Sequence, residues 1–224
     1  MYFADFKKLV KKINLVERKN TMKTKMMLAM SIVTALVLFN GCGGGEQATT
    51  GFLSDYSKLQ KESESSMRYV NEKAVASYSG FIVDPVQVRF YSGAKSEGKL
   101  TDEQITDLTS YTHAQIIEAV QGAGKKVAYQ PGAGVARIRI ALTDIQKTSA
   151  INIVPQASLL GAGIGGASME AEVVDSMTSK QIGAVVESGK GGRIPFTNLG
   201  DWSAAKSVID GWASRFQKRL EESR

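Results

Sequence analysis

Cysteine, histidine and proline are scarce in this chain: one Cys, one His and four Pro among 224 residues. A single cysteine excludes an internal disulfide framework and any multi-cysteine zinc or iron–sulfur site. A single histidine, His113, excludes every metal site that needs two or more imidazoles. The patterns of several enzyme classes are also missing. No P-loop is present, although Lys125 and Lys190 each follow a glycine, and no G-x-S-x-G elbow accompanies His113. The longest apolar run falls short of the roughly 20 residues a spanning helix needs. Excess charge is lacking too, outside one short segment. The formal charge of +6 and the pI near 9.3 invite a nucleic-acid reading. Residues 1–25 carry eight Lys/Arg and two acids, which leaves 20 basic and 20 acidic residues in all the rest. The body is electrically balanced, and the expected partners include no nucleic acid.

What is present begins with the leader. Met26 to Phe39 reads MMLAMSIVTALVLF, 14 residues without a charge. That length fits the apolar core of a secretory signal peptide, with Met22-Lys23-Thr24-Lys25 as its positive start. Asn40-Gly41-Cys42 follows, then Gly43-Gly44-Gly45. A small residue just before a cysteine, after an apolar run, resembles the lipobox of bacterial lipoproteins. The resemblance implies a diacylglyceryl group on Cys42, palmitate-type acylation and a mature N-terminus at that residue. Gly43, in place of the Asp that favours inner-membrane retention, points to the outer membrane, facing the periplasm. Residues 1–41 are thus read as leader and lipoprotein signal peptide. Residues 1–21 stand either as an extension ahead of a true start at Met22 or as an amphipathic basic helix. Residues 42–50 read as a flexible tether, and residues 51–224 as one periplasmic domain.

Within that domain, Gly51 to Leu59 is semi-apolar and expected to pack on the fold, and Gln60 to Ser66 reads as a polar loop. Gly80 to Phe90 reads as a strand broken at Asp84-Pro85. Thr101 and Gln104 fit a capping box opening a helix that Gly122 and Gly124 end. Lys126–Gln130 and Val135–Ile145 read as strands, the latter with Ala136, Ile138, Ile140 and Leu142 opposite Arg137 and Arg139. Residues 148–169 hold no charged side chain in 22 positions. They read as a buried loop or as an apolar contact loop for a partner or membrane. Ser168–Asp175 and Lys180–Glu187 form an expected hairpin. Asp201 is the expected cap of a last helix, whose Ala205, Val208, Ile209, Trp212, Phe216 and Leu220 recur at three and four residues. The pattern predicts an α+β fold: a two-layer sandwich of about five mostly antiparallel strands, with two long amphipathic helices on one face.

Several segments together resemble a known family. They are Gly51-Phe52-Leu53-Ser54-Asp55-Tyr56-Ser57, Arg68-Tyr69-Val70, Val83-Asp84-Pro85-Val86, Gly166-Ala167-Ser168-Met169-Glu170-Ala171-Glu172, Asp175-Ser176, Trp202-Ser203-Ala204-Ala205 and Trp212-Ala213. Over most of residues 50–220 the chain resembles bacterial lipoproteins catalogued as a domain of unknown function, number 3313. One departure is Met177-Thr178-Ser179, where that family turns with Thr-Gly. The resemblance implies a lipid-anchored envelope protein and carries no catalytic residues. The order of elements is also similar to periplasmic α/β domains of envelope-assembly lipoproteins, an analogy of fold and not of function.

The remaining motifs are weak. Gly161-Ala162-Gly163-Ile164-Gly165-Gly166 has G-x-G-x-x-G spacing, but a strand follows it where a dinucleotide site needs a helix. Any nucleophile–His–acid triad would have to use His113, which reads instead as a surface or half-buried helix histidine. Glu170 and Glu172 share a strand face and could do acid–base work or bind a cation; a solvated face opposite Arg137 and Arg139 is the expectation. The sequence therefore predicts a non-catalytic interaction or accessory lipoprotein. Its lipid is on Cys42, with no cofactor, no metal and no catalytic residues. Its partners are the membrane and another envelope protein. A small-ligand-binding periplasmic module is the alternative.

Overall fold

The computed structural model describes residues 49–94, 96–147, 165–191 and 202–223. In chain order these form β1 (Gln60–Ser63), β2 (Ser66–Val70), a short helix α1 (Glu72–Ala76), β3 (Gly80–Val83), β4 (Gln87–Val88) and α2 (Asp102–Gly122). Then come β5 (Lys126–Val127), β6 (Val135–Gln146), β7 (Gly166–Asp175), β8 (Gln181–Lys190) and α3 (Ser203–Glu222). The strands make one open eight-stranded sheet in the order β1-β2-β8-β7-β6-β3-β5, with β4 also on β6. The pairs β1/β2, β2/β8, β8/β7 and β7/β6 are antiparallel; β3 and β4 run parallel to β6, and β5 runs parallel to β3.

The sheet is thus mixed and mostly antiparallel, as its sequence pattern implies, but wider than the five strands expected. Residues 60–66, read as a loop, belong to a hairpin of β1 and β2 added to the β8 edge. Gly80–Phe90 splits into β3 and β4, both aligned along β6, because Pro85 offers no N–H to the ladder. Lys126–Gln130 contracts to a two-residue strand.

α2 begins as its capping box predicts. Thr101 Oγ1 accepts from Gln104 N at 3.3 Å, and Gln104 Oε1 accepts from Thr101 N at 3.1 Å. Asp102 and Glu103 place negative charge at the positive end of the helix. Gly124, at φ +69°, turns the chain out beyond it. The N-cap of α3 is Trp202, with no side-chain cap hydrogen bond, rather than Asp201, which lies outside the described residues.

Both long helices pack on one sheet face. Phe81, Ile138, Ile140 and Ile182 meet Ile116, Val120, Ala213 and Leu220, while Leu142 and Met169 meet Leu108, Val208, Ile209 and Trp212. Burying each of the larger side chains contributes about 1.5–3 kcal/mol. We call this the inner face. The expected two-layer arrangement does not hold across the sheet, because the outer face is covered as well. There Phe52 and Leu53 pack on Ala141, Ala184 and Val186. No helix among the described residues is long and apolar enough to cross a membrane.

Candidate functional site

The sequence singles out Glu170 and Glu172, and the structure gives them an environment opposite to the one expected. Period two sends Met169, Ala171 and Val173 of β7 inward and Glu170, Glu172 and Val174 outward. The outward glutamates are only 0% and 1% exposed. What covers them is the chain segment before β1, which crosses the outer face as a strap.

The strap is the motif Gly51 to Ser57 together with Thr50. Thr50 N and Oγ1 donate to Glu170 at 2.6 and 3.1 Å, and the Tyr56 hydroxyl donates to the same carboxylate. Ser54 N and Oγ donate to Glu172 Oε2 at 2.9 and 2.7 Å. From the sheet side, Arg139 reaches Glu172 Oε1 at 2.6 Å and Gln181 Nε2 reaches Oε2 at 2.9 Å. Gln181 also donates to the Asp55 carbonyl at 3.0 Å, so it ties strap and sheet together. A register shift places it there: Val173 pairs with Gly183 but Val174 pairs with Gln181, so Ile182 is the extra residue of a bulge. Without that bulge Gln181 would point inward.

Apolar and cationic groups complete the clamp. The Phe52 ring lies under the guanidiniums of Arg89 and Arg139, at 5.4 and 5.2 Å from its centroid. Burial, reinforced by Glu170, pushes the Tyr56 phenol up to about 12. Within the strap, hydrogen bonds from Ser57 and the ammonium of Lys58 hold Asp55 down at about 2. Buried carboxylates demand such partners. Here the partners are the backbone and side chains of the strap, so the arrangement binds a chain segment. The solvated-face expectation fails for this reason.

The other singled-out residues do not join it. Arg139 meets Glu172 as its register predicts, but Arg137 turns to Asp84 at 2.6 Å. His113 sits on α2 with Nε2 3.2 Å from the Val83 carbonyl oxygen. Gly166 opens β7, and a Cβ there would lie 2.2 Å from the Gly189 carbonyl oxygen. Close strand approach, not phosphate binding, explains that glycine. Cys42 and residues 148–164 lie outside the described residues. Among the described residues no group of three His, Cys, Asp or Glu could hold a metal.

A second feature escaped the sequence reading. Seven strands abreast at about 4.8 Å spacing are wider than two helices of about 10 Å each can cover. The uncovered part is the inner face of β2 and β8, beside the second half of α3. It forms a groove of about 360 Å³. Its walls include Val70, Val173, Val185 and Phe216, none fully buried, with Arg68, Arg215 and Arg219 at its rim. The sequence signal was faint: Arg68 and Val70 belong to the motif Arg68-Tyr69-Val70, but no periodic run marks so short a strand.

Comparison with known proteins adds a family. No curated protein matches this sequence. Two solved dodecamers of PelC from Paraburkholderia phytofirmans resemble the chain. One, a single-residue variant, is 12% identical and covers 70% of this chain and 95% of its own, with a TM-score of 0.41. The other is 11% identical and covers 70% and 96%, with a TM-score of 0.42. A family model described as a protein of unknown function, DUF3313, matches residues 48–216. That span contains the strap, both buried glutamates and the groove floor, and the chain belongs to this family.

Proposed function

We propose that this is an exported, lipid-anchored protein of the bacterial cell envelope that acts without catalysis, through a protein surface. In this reading Cys42 carries the lipid, residues 1–41 are removed, and residues 42–50 tether the domain to the periplasmic side of the outer membrane. One acyl chain anchors only marginally, whereas two or three on one residue hold a domain firmly.

The observation that carries the reading is the strap. It follows directly on the tether, so any pull on the anchor reaches the fold at Thr50 to Tyr56. Those residues are fastened to Glu170 and Glu172, 114–120 positions away in sequence. The same hydrogen bonds occupy the carboxylate pair that acid–base chemistry would have required. An electrically balanced body supports a protein partner over nucleic acid.

Metabolic labelling with radioactive palmitate tests the anchor. Wild-type protein should take up label, and Cys42→Ala should not; undiminished label in that variant overturns the anchor. Crosslinking in intact cells, followed by identification of the captured proteins, tests the surface. A specific envelope protein is the expected product.

A further inference from the structure

The inner-face groove combines an apolar floor with a cationic end. Its floor runs along Ala171, Val173, Gly183 and Val185, under Phe216 of α3. These positions would be core in a fully covered sheet, yet Val70 is 36% exposed and Val173, Val185 and Phe216 are only half-buried. The outer face of the same strands is more completely buried than this apolar one. At one end stand three guanidiniums. Arg68 and Arg219 share Glu62, at 3.0 and 3.3 Å, and Arg215 pairs with Glu187 at 2.5 Å. Glu222, also on the lining, pairs with Lys218 at 3.8 Å, so four cations against Glu62, Glu187 and Glu222 leave one positive charge in excess. Burial first, then the like charge of Arg68, lowers the pKa of Arg219. Glu172 of the lining is held by the strap and Arg139, and Glu72 lies two residues past the Val70 end of β2, away from Arg68.

We propose that the groove binds a single-chain amphiphile with a carboxylate head, its chain along Val173, Val185 and Phe216 and its head among Arg68, Arg215 and Arg219. One excess charge matches a monoanion, and the guanidinium fork matches a carboxylate in two-point geometry. The volume of 360 Å³ is at the small end of the roughly 300–1,000 Å³ of ligand sites, which suits one chain rather than two. This inference rests on the inner face and is independent of lipid attachment at Cys42.

The groove contains its own reporter. Trp212 lines it, and Trp202, outside the lining, is the chain's other tryptophan. The full chain, exchanged from detergent into an amphipathic polymer, is titrated with dibromostearate, whose bromines quench indole fluorescence on contact. Saturable quenching is expected in wild type and in Trp202→Phe, where Trp212 alone reports. Gly183→Leu should abolish it. A Cβ at Gly183 would lie 3.5 Å from the Tyr69 carbonyl oxygen and 3.9 Å from Val70 Cγ2, ordinary contact distances, and the larger side chain takes up floor volume. Arg219→Gln should weaken binding about tenfold, as loss of a charge-assisted hydrogen bond does. Dibromostearate methyl ester should bind about tenfold more weakly than the acid for the same reason. Circular dichroism and melting of each variant establish that it is folded. No saturable quenching, or equal quenching in folded Gly183→Leu, overturns the site. Equal binding of acid and ester, or preference for a brominated lysophosphatidylglycerol, overturns the carboxylate head.

Discussion

Glu172 shows how a single side chain can hold two parts of a fold. Its carboxylate accepts from Ser54 N, Ser54 Oγ, Arg139 and Gln181. A glutamine of nearly the same shape would bring its own N–H₂ against these donors. Glu172→Gln should therefore destabilise the domain by about 3–5 kcal/mol, the cost of breaking a buried charged network. Urea denaturation with an unchanged m-value checks this; a loss under 1 kcal/mol would mean the strap is held by packing alone. Ser179 makes the opposite case. It occupies φ 59° at the β7–β8 turn and is the one non-glycine with positive φ among the described residues. The family resemblance implies a glycine at this place in the turn. The hairpin still closes because Asp175 Oδ1 accepts from Met177 N, Thr178 N and Thr178 Oγ1. Ser179→Gly should raise stability by about 1 kcal/mol by relieving the left-handed strain, seen as a melting temperature several degrees higher.

At the level of elements, close approach explains Gly189 as it explains Gly166. Gly189 on β8 faces α3: a Cβ there would meet Val208 Cγ1 at 2.5 Å. Gly189→Ala should cost about 1–3 kcal/mol through overpacking of helix against sheet. The companion change Val208→Ala should recover part of that loss in a double-mutant cycle. Additive losses would show that the two positions do not touch. The hairpin β1–β2 matters for a different reason. It widens the sheet past the reach of α2 and α3 and so creates the groove.

For the whole molecule, depressed carboxyls and raised phenols bound the stable pH range. Asp175 is lowered from an ordinary 3.8 to about 2, first by its hydrogen bonds from Thr178. A depressed carboxyl contributes stability that is present above 3.8 and lost as pH falls towards 2. Tyr56 is raised from 10.0 to about 12, so its contribution is complete below pH 10 and lost as pH rises towards 12. Chemical denaturation across pH should show both limbs. Asp175→Asn should flatten part of the acid limb, the rest staying with Asp55, which is also held down at about 2, and Tyr56→Phe should flatten part of the alkaline one. Tyr111, also raised to about 12 by burial and Asp210, keeps part of the alkaline limb in the second variant. Unchanged limbs in both variants would assign the pH dependence to other groups.

Local regularity was legible in the sequence. The 3.6-residue spacing marked α2 and α3, the capping box placed the start of α2, and period two sorted Arg139, Glu170 and Glu172 onto one face of β6 and β7. These depend on neighbours a few positions apart, which is why the sequence alone determines them. What covers each face was not legible. The glutamates read as solvent-facing because a strand pattern states which side chains share a face and says nothing about distant chain. The strap that buries them lies 120 residues earlier at Thr50, and one bulge at Ile182 decides that Gln181 joins it. The short strands β1 and β2 were missed because four or five residues carry too little periodicity to register. Their place beside β8 comes from long-range pairing. Only that tertiary pairing decided that the polar face would be closed and part of the apolar face left open, because burial depends on which distant segments reach each face.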